Sequence, residues 1–161
     1  MRKALIGIGT NIGDRKEHIN EAVEALNHIP AVKVLRISPV YETEPWGFVN
    51  QENFYNAVLE VETNLTANTL LGVCLGIEAG IGRIRGVKNG PRVLDLDLLL
   101  CEDQESMTAE LTLPHPRMFE RDFVLVPLRD LYPEMKIYEK YNLVHYYDML
   151  DTSGIIKQID F

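Results

Sequence analysis

The sequence predicts an α+β fold with a mostly antiparallel sheet, and three features carry that prediction. Strand-length apolar runs and segments of helical period follow one another as strand, helix, strand, strand, helix, strand. Both helical segments open on a capping residue. No linker, repeat or low-complexity tract divides the 161 residues, a length that ordinarily makes one domain, here 1–161. Two helices packed on a four-stranded antiparallel sheet is the ferredoxin-like βαββαβ arrangement, here with C-terminal additions. Many activities share that arrangement, so it settles no function.

Ala4 to Gly9 is a short apolar run ended by glycine, which predicts the first strand. Thr10 to Asp14 is a turn, and Asp14 with Glu17 forms an Asp-x-x-Glu N-cap pattern. Ile19, Ala22, Val23, Leu26 and Ile29 then recur at helical spacing until Pro30 stops the helix. Gly7, Gly9 and Gly13 do not make a dinucleotide-binding fingerprint, because the spacing is wrong and no strand–helix–strand unit follows cleanly. Val32 to Val40 is β-branched and predicts one strand. Tyr41 to Phe48 opens a long loop, the kind that often serves as a lid or a binding segment.

Tyr55 to Glu62 predicts a third strand, with Ala57, Leu59 and Val61 on one face and Glu60 and Glu62 on the other. Thr66 caps a second helix with a stripe of Leu70, Cys74, Ile77 and Ile81. Gly72, Gly76 and Gly80 each cost that helix about 1 kcal/mol relative to Ala, and close packing on the sheet is the expected compensation. A short helix is expected from Pro116 and another from Asp122 through Leu128. His145 to Leu150 reads as helical, and Ile155 to Phe161 as an added edge strand.

Composition excludes several functions. Net charge is −8, from 16 basic and 24 acidic residues. That disfavours a general nucleic-acid binder, which shows a basic footprint. Cys74 and Cys101 form neither a disulfide framework nor a metal-ligand pattern, and both sit in apolar runs as buried thiols do. No apolar run approaches a membrane span. No signal segment precedes the first strand, so a cytoplasmic location without membrane association is expected.

The chemistry concentrates in one stretch. In Leu94-Asp95-Leu96-Asp97-Leu98-Leu99-Leu100, strand alternation puts the four even-numbered leucines on one face and both aspartates on the other. Carboxylates two residues apart on a strand have Cα atoms roughly 6.5–7 Å apart. They repel unless a cation lies between them, and Mg²⁺, a hard cation with oxygen ligands, suits that gap. Just upstream, residues 83–92 carry Arg83, Arg85, Lys88 and Arg92 and no acid. A lone Asp-x-Asp is more often a solvated pair beside a charged loop. A basic Gly/Pro-containing loop running into it points instead to phosphate on one side and metal on the other.

Gly-Pro-Arg-x-Leu-Asp-Leu-Asp from 90 to 97 resembles the signature of the 6-hydroxymethyl-7,8-dihydropterin pyrophosphokinases of folate synthesis. Other segments fall in the family's order. They are Gly-Thr-Asn at 9–11, Tyr-x-Thr-x-Pro-x-Gly at 41–47, Phe-x-Asn at 54–56, Glu78, Gly-Arg-x-Arg at 82–85, and Pro-His at 114–115 followed by Arg121 and Phe123. The resemblance covers nearly the whole chain and implies transfer of the β,γ-pyrophosphoryl group of ATP to the pterin's hydroxymethyl oxygen, with release of AMP. It implies that Asp95 and Asp97 hold two Mg²⁺ ions and, with Arg83 and Arg92, form the catalytic group. It assigns ATP to Glu78, Arg85, Lys88, Arg92, Leu98, Thr112, His115 and Arg121. It assigns the pterin to Thr43, Pro45, Gly47, Phe54, Asn56 and Phe123, with Phe54 and Phe123 as the two stacking faces; Trp46, beside them in the long loop, is added as a pterin contact from its position. The implied partners are these two small molecules, with a monomer expected.

This sequence departs from the family where Asn89 stands for a common Trp, Lys88 for a common Arg, Pro116 for a frequent aromatic and Leu75 for a phosphate-facing Gln. These changes bear on nucleotide affinity and loop closure. Trp46, the sole tryptophan, is expected to supply part of the missing apolar cover. The alternative is permanent packing of Trp46 on the sheet edge. Two other functions stay open on the residues alone: a nucleotide-sensing module without chemistry, and a two-metal nucleotidyl transferase. Products separate them: AMP, nothing, or pyrophosphate.

Overall fold

The computed structural model describes residues 1–47, 50–82 and 93–161. Strand β1 (Arg2–Thr10) is central, with Ala4, Leu5, Ile6 and Ile8 buried on its two faces. Asp14 caps helix α1 (Arg15–His28) by accepting the Glu17 N–H at 3.1 Å, as its sequence pattern predicts. Ile19, Ala22 and Leu26 drive α1 into the core.

The single strand expected over 32–40 is two, β2 (Val32–Ile37) and β3 (Val40–Thr43). Pro39 has no N–H to give a ladder, so the strand bends there. Ser38 bridges the bend, its N–H donating to Val58 O and its hydroxyl accepting the Val58 N–H, each at 2.9 Å. Tyr41, Glu42 and Thr43, expected in a loop, therefore extend the sheet. Both pieces run antiparallel along β4 (Phe54–Thr63).

Helix α2 (Ala67–Ile81) is capped by Thr66 and ends at Gly82, whose φ of 109° suits glycine. The expected compensation at its three interior glycines is not found. A methyl group on Gly72, Gly76 or Gly80 would meet nothing within 4 Å. Those glycines face outward, and α2 is held by its other side, through Ala67, Leu70 and Cys74.

Strand β5 (Asp95–Cys101) pairs antiparallel with β1, and β4 pairs with β1 on its other side. Ile6 stands opposite Leu98, but Leu5 stands opposite Leu100, so Leu99 is an inserted residue. This bulge corrects the expected alternation. Leu94, Leu96 and Leu98 face α1 and α2, whereas Leu99 and Leu100 both join the core on the opposite face.

That opposite face is covered by the C-terminal third. The hairpin β6 (Ser106–Met107) and β7 (Thr112–Leu113) leads to a 3-10 turn at Met118–Glu120, not at Pro116, and to helix α3 (Asp122–Leu131). A second hairpin, β8 (Lys136–Ile137) and β9 (Tyr141–Asn142), precedes helix α4 (Val144–Asp148). Strand β10 (Ile155–Ile159) then pairs with β3 as the expected edge strand. The described sheet runs β10-β3-β4-β1-β5 with β2 also beside β4, every pairing antiparallel. The architecture is ferredoxin-like, with a further layer built from α3.

Glu60 lies on the face opposite Ala57, Leu59 and Val61, as expected, and this layer buries it. Glu60 is 2% exposed and accepts hydrogen bonds from the Tyr132 hydroxyl, the Tyr138 hydroxyl and Arg36. Both cysteines are free and buried, as expected. Burial pushes the Cys74 thiol up to about 12. Among the described residues no helix is long and apolar enough to cross a membrane.

Candidate active site

The site grows out of the register of three central strands. On the face turned away from α1 and α2, Asn56 of β4, Gly9 of β1 and Asp95 of β5 lie side by side. The next row on that face is Val58, Gly7 and Asp97. The middle position of each row is a glycine, so the strip between the β4 side chains and the two aspartates has no side chain. Neighbouring groups come down onto it. A Cβ on Gly9 would stand 2.6 Å from Asn56 Oδ1 and 3.7 Å from a Phe54 ring carbon. A Cβ on Gly7 would touch Leu99 at an ordinary 3.6 Å.

One wall holds the predicted pterin residues. Asn56 Nδ2 donates to Thr43 Oγ1 at 2.8 Å, and both side chains are buried. That bond fixes the amide over Gly9 with a known orientation. Phe123, in the first turn of α3, meets Trp46 edge to face with ring centroids 5.7 Å apart. The guanidiniums of Arg117 and Arg121 lie 5.5 Å and 5.4 Å from the Trp46 and Phe123 ring centres. Trp46 keeps 36% of its surface, so it is neither buried in the core nor detached. Pro45 and Trp46 border a hollow of about 260 Å³ that Asp122 and Gly154 also line. Gly47 takes a left-handed φ of 77°.

The other wall is ionic. Asp97 Oδ2 lies 3.7 Å from Arg121 Nη1. Arg121 Nε is buried with no hydrogen-bond partner among the described residues. A buried guanidinium N–H without an acceptor carries a desolvation cost that an anionic oxygen would remove. His115 is anchored by its backbone N–H to Leu99 O at 2.8 Å, and its Nδ1 accepts the Arg117 N–H at 3.2 Å. With Nδ1 an acceptor, the neutral ring carries its proton on Nε2. Burial, then the Arg121 charge, lowers the His115 pKa and favours that neutral ring. Glu78 is 2% exposed, and its carboxylate accepts the Leu96 N–H at 2.7 Å. It thus serves an outer donor of edge strand β5 between the two aspartates.

The remaining assignments divide. Leu98 projects into the helix-side core, on the face opposite Asp97, so its side chain is not brought to the site. Thr112 is exposed on β7. Arg83, Arg85, Lys88 and Arg92, with Asn89, lie outside the described residues. Sequence reasoning missed Gly7 and Gly9 as a floor. Their spacing of two within a strand was the available signal. It also missed Arg117 over Trp46, which had none.

Comparison with known proteins identifies the lineage. The family described as 7,8-dihydro-6-hydroxymethylpterin-pyrophosphokinase matches residues 5–133. A 2-amino-4-hydroxy-6-hydroxymethyldihydropteridine pyrophosphokinase of Methylorubrum extorquens is 44% identical over 137 residues, covering 85% of this chain and 87% of the relative. The protein of the same name from Bacillus subtilis is 44% identical over 128 residues, covering 80% and 77%. A crystal structure of an HPPK-DHPS protein in complex with substrates superposes with a TM-score of 0.67 at 16% identity, over 91% of this chain and 43% of the longer one.

Proposed function

The chain belongs to the 7,8-dihydro-6-hydroxymethylpterin-pyrophosphokinase family, and from that premise we propose how its own residues perform the transfer. The enzyme moves the β,γ-pyrophosphoryl group of ATP onto the hydroxymethyl oxygen of 6-hydroxymethyl-7,8-dihydropterin. A bond forms between that oxygen and the β-phosphorus. The bond from the β-phosphorus to the bridging oxygen of AMP breaks, and AMP leaves. The chain acts as a single domain, 1–161, in the cytoplasm, and a monomer suffices.

The observation that carries the reading is the side-chain-free strip between an amide wall and an ionic wall. A flat bicyclic ring needs such a floor, an edge reader and aromatic faces. Gly7 and Gly9 add no side chain to the floor and let Asn56 come close over it, Asn56 fixed by Thr43 reads the edge, and Phe54 and Phe123 supply the faces, with Trp46, Pro45 and Gly47 at the rim. Phosphoryl transfer asks the protein for position and charge neutralisation. Arg121 offers its orphaned Nε to a phosphate oxygen, and His115 offers Nε2–H. Arg83, Arg85, Lys88 and Arg92 bring further positive charge from the adjoining segment.

The donor set fits two Mg²⁺ ions. Asp95 and Asp97 provide hard oxygen ligands on one face, and Mg²⁺ commonly takes one or two carboxylates and completes its shell with phosphates and water. When bound, the ions would neutralise the triphosphate charge. Glu78 keeps Leu96, and so both neighbouring aspartates, at a fixed place in the edge strand.

The test is product analysis. Purified protein with ATP, Mg²⁺ and the reduced hydroxymethylpterin is expected to yield AMP and pterin diphosphate in equal amounts, and no AMP when either the pterin or Mg²⁺ is withheld. Formation of ADP or of free pyrophosphate would overturn the assignment.

A further inference from the structure

We propose that Gly154 is a positioning residue that sets the spacing of the two aromatic side chains at the pterin rim, Trp46 and Phe123. It lies beyond the segment matched by the family, which ends at residue 133. Chain order gives it no evident link to the site, but the fold does.

Gly154 meets Glu44, two residues before Trp46, and Asp122, the residue before Phe123. The Gly154 carbonyl accepts the Glu44 N–H at 2.8 Å. That bond extends the pairing of β10 with β3, where Ile155 stands opposite Thr43. On its other side Gly154 lies against Asp122. A Cβ on Gly154 would stand 2.7 Å from Asp122 Oδ2, closer than real Cβ atoms approach an oxygen. The other carboxylate oxygen, Oδ1, accepts the Phe123 N–H at 2.7 Å. The path from one ring to the other is therefore Trp46, Pro45, Glu44, Gly154, Asp122, Phe123: a hydrogen bond joins Glu44 to Gly154, a close contact joins Gly154 to Asp122, and the chain itself joins the rest. Its ends meet in the edge-to-face pair at 5.7 Å.

The environment argues that the contact is held against a cost. Asp122 is 6% exposed. Burial raises its pKa, the Phe123 N–H lowers it, and the charges of Asp151 and Glu44 raise it again. A carboxylate kept there gains its N–H bond and its place at the start of α3, where the helix dipole favours negative charge. It leaves room for no side chain on the turn that precedes β10. Gly154 is thus required for close approach, since its φ lies outside the left-handed range that would otherwise demand glycine.

The inference rests on the proposed pterin site, and the test separates the two. Gly154→Ala forces Glu44 and Asp122 apart. The expected result is a pterin Kd about tenfold weaker, since displacements of an ångström cost that much or more in positioned sites. The Kd for a non-hydrolysable ATP analogue without pterin is expected to change clearly less, as none of the residues assigned to ATP is on the path. The emission of Trp46, the sole tryptophan, is expected to shift in the free variant. Adding Asp122→Ser keeps an oxygen near the Phe123 N–H and removes the clashing one, so the double variant is expected to regain pterin affinity. Wild-type pterin affinity in Gly154→Ala overturns the inference. So does equal loss of pterin and ATP-analogue binding, or a double variant as weak as the single one. If the wild-type protein itself binds no pterin, the site assignment fails instead.

Discussion

Two carboxylate regions share one face of the sheet and have opposite surroundings. Glu60 stands opposite Leu5 of β1, under the end of α3 and the β8–β9 hairpin, and takes donors from Tyr132, Tyr138 and Arg36. Asp97 stands opposite Gly7, keeps a third of its side chain exposed and meets Arg121 at 3.7 Å. The cover above the sheet makes the difference. The end of α3 and the β8–β9 hairpin bury Glu60, so the protein must neutralise that charge itself. Asp97 is less covered, so it stays within reach of ligands. A buried carboxylate with several donors serves the fold. One that keeps surface area beside the other aspartate is placed to hold something else.

Asp97→Asn tests the open end with the largest expected effect. The amide keeps the shape and removes the charge proposed to hold Mg²⁺. Several kcal/mol of charge stabilisation should disappear, or about 10²–10³ in turnover, with melting nearly unchanged. Near-wild-type turnover at saturating Mg²⁺ would break the comparison. Glu60→Gln should do the reverse. Hydrogen bonds to a buried charge contribute about 1.5–3 kcal/mol, so melting should fall by roughly 4–8 °C. Turnover at 25 °C should stay within about twofold. A large activity loss in a protein that is still folded would show that the closed end also serves the site.

Smaller effects sharpen the contrast. Gly9→Ala puts a methyl group 2.6 Å from Asn56 Oδ1, whereas Gly7→Ala meets Leu99 at 3.6 Å. Titration calorimetry with the pterin should show about a tenfold loss for Gly9→Ala, near 1.4 kcal/mol, and clearly less for Gly7→Ala. Equal losses would mean that Asn56 does not read the ring edge. The smallest effect is alkaline. Burial, then the bond to Glu60, raises the Tyr132 hydroxyl from 10.0 to about 12. The folded state then holds a proton that the unfolded chain releases above pH 10. That stabilisation is full below pH 10 and is lost as pH rises toward 12. Urea midpoints at pH 9 and pH 11 should fall less in Tyr132→Phe than in wild type, and an equal fall would remove Tyr132 from the network.

Much of the fold was legible because its signals are local. Asp14 and Thr66 cap their helices through side-chain bonds to backbone only three residues away. The Asp95 and Asp97 pair shares a face because strand alternation is a property of the strand itself. Phe54 and Asn56 share theirs for the same reason. The ordered motifs added an assignment of substrate that spacing alone could not supply.

Tertiary structure decided what depends on cover and register. The burial of Glu60 was not legible because nothing near it in sequence reveals that α3, some seventy residues on, lies across its face. The interior glycines of α2 looked like packing points, yet the helix turns them outward, because apolar Ala67, Leu70 and Cys74 gain more by burial. The Leu99 bulge could not be read from β5, since an inserted residue exists only relative to its partner on β1. Gly7 and Gly9 became a floor only once Asn56 and the two aspartates stood on either side of them. A chain's local preferences fix which segments are strands and helices and which way their side chains alternate. Which of those faces is sealed, and which is left open for a ligand, is set by burial against segments distant in sequence.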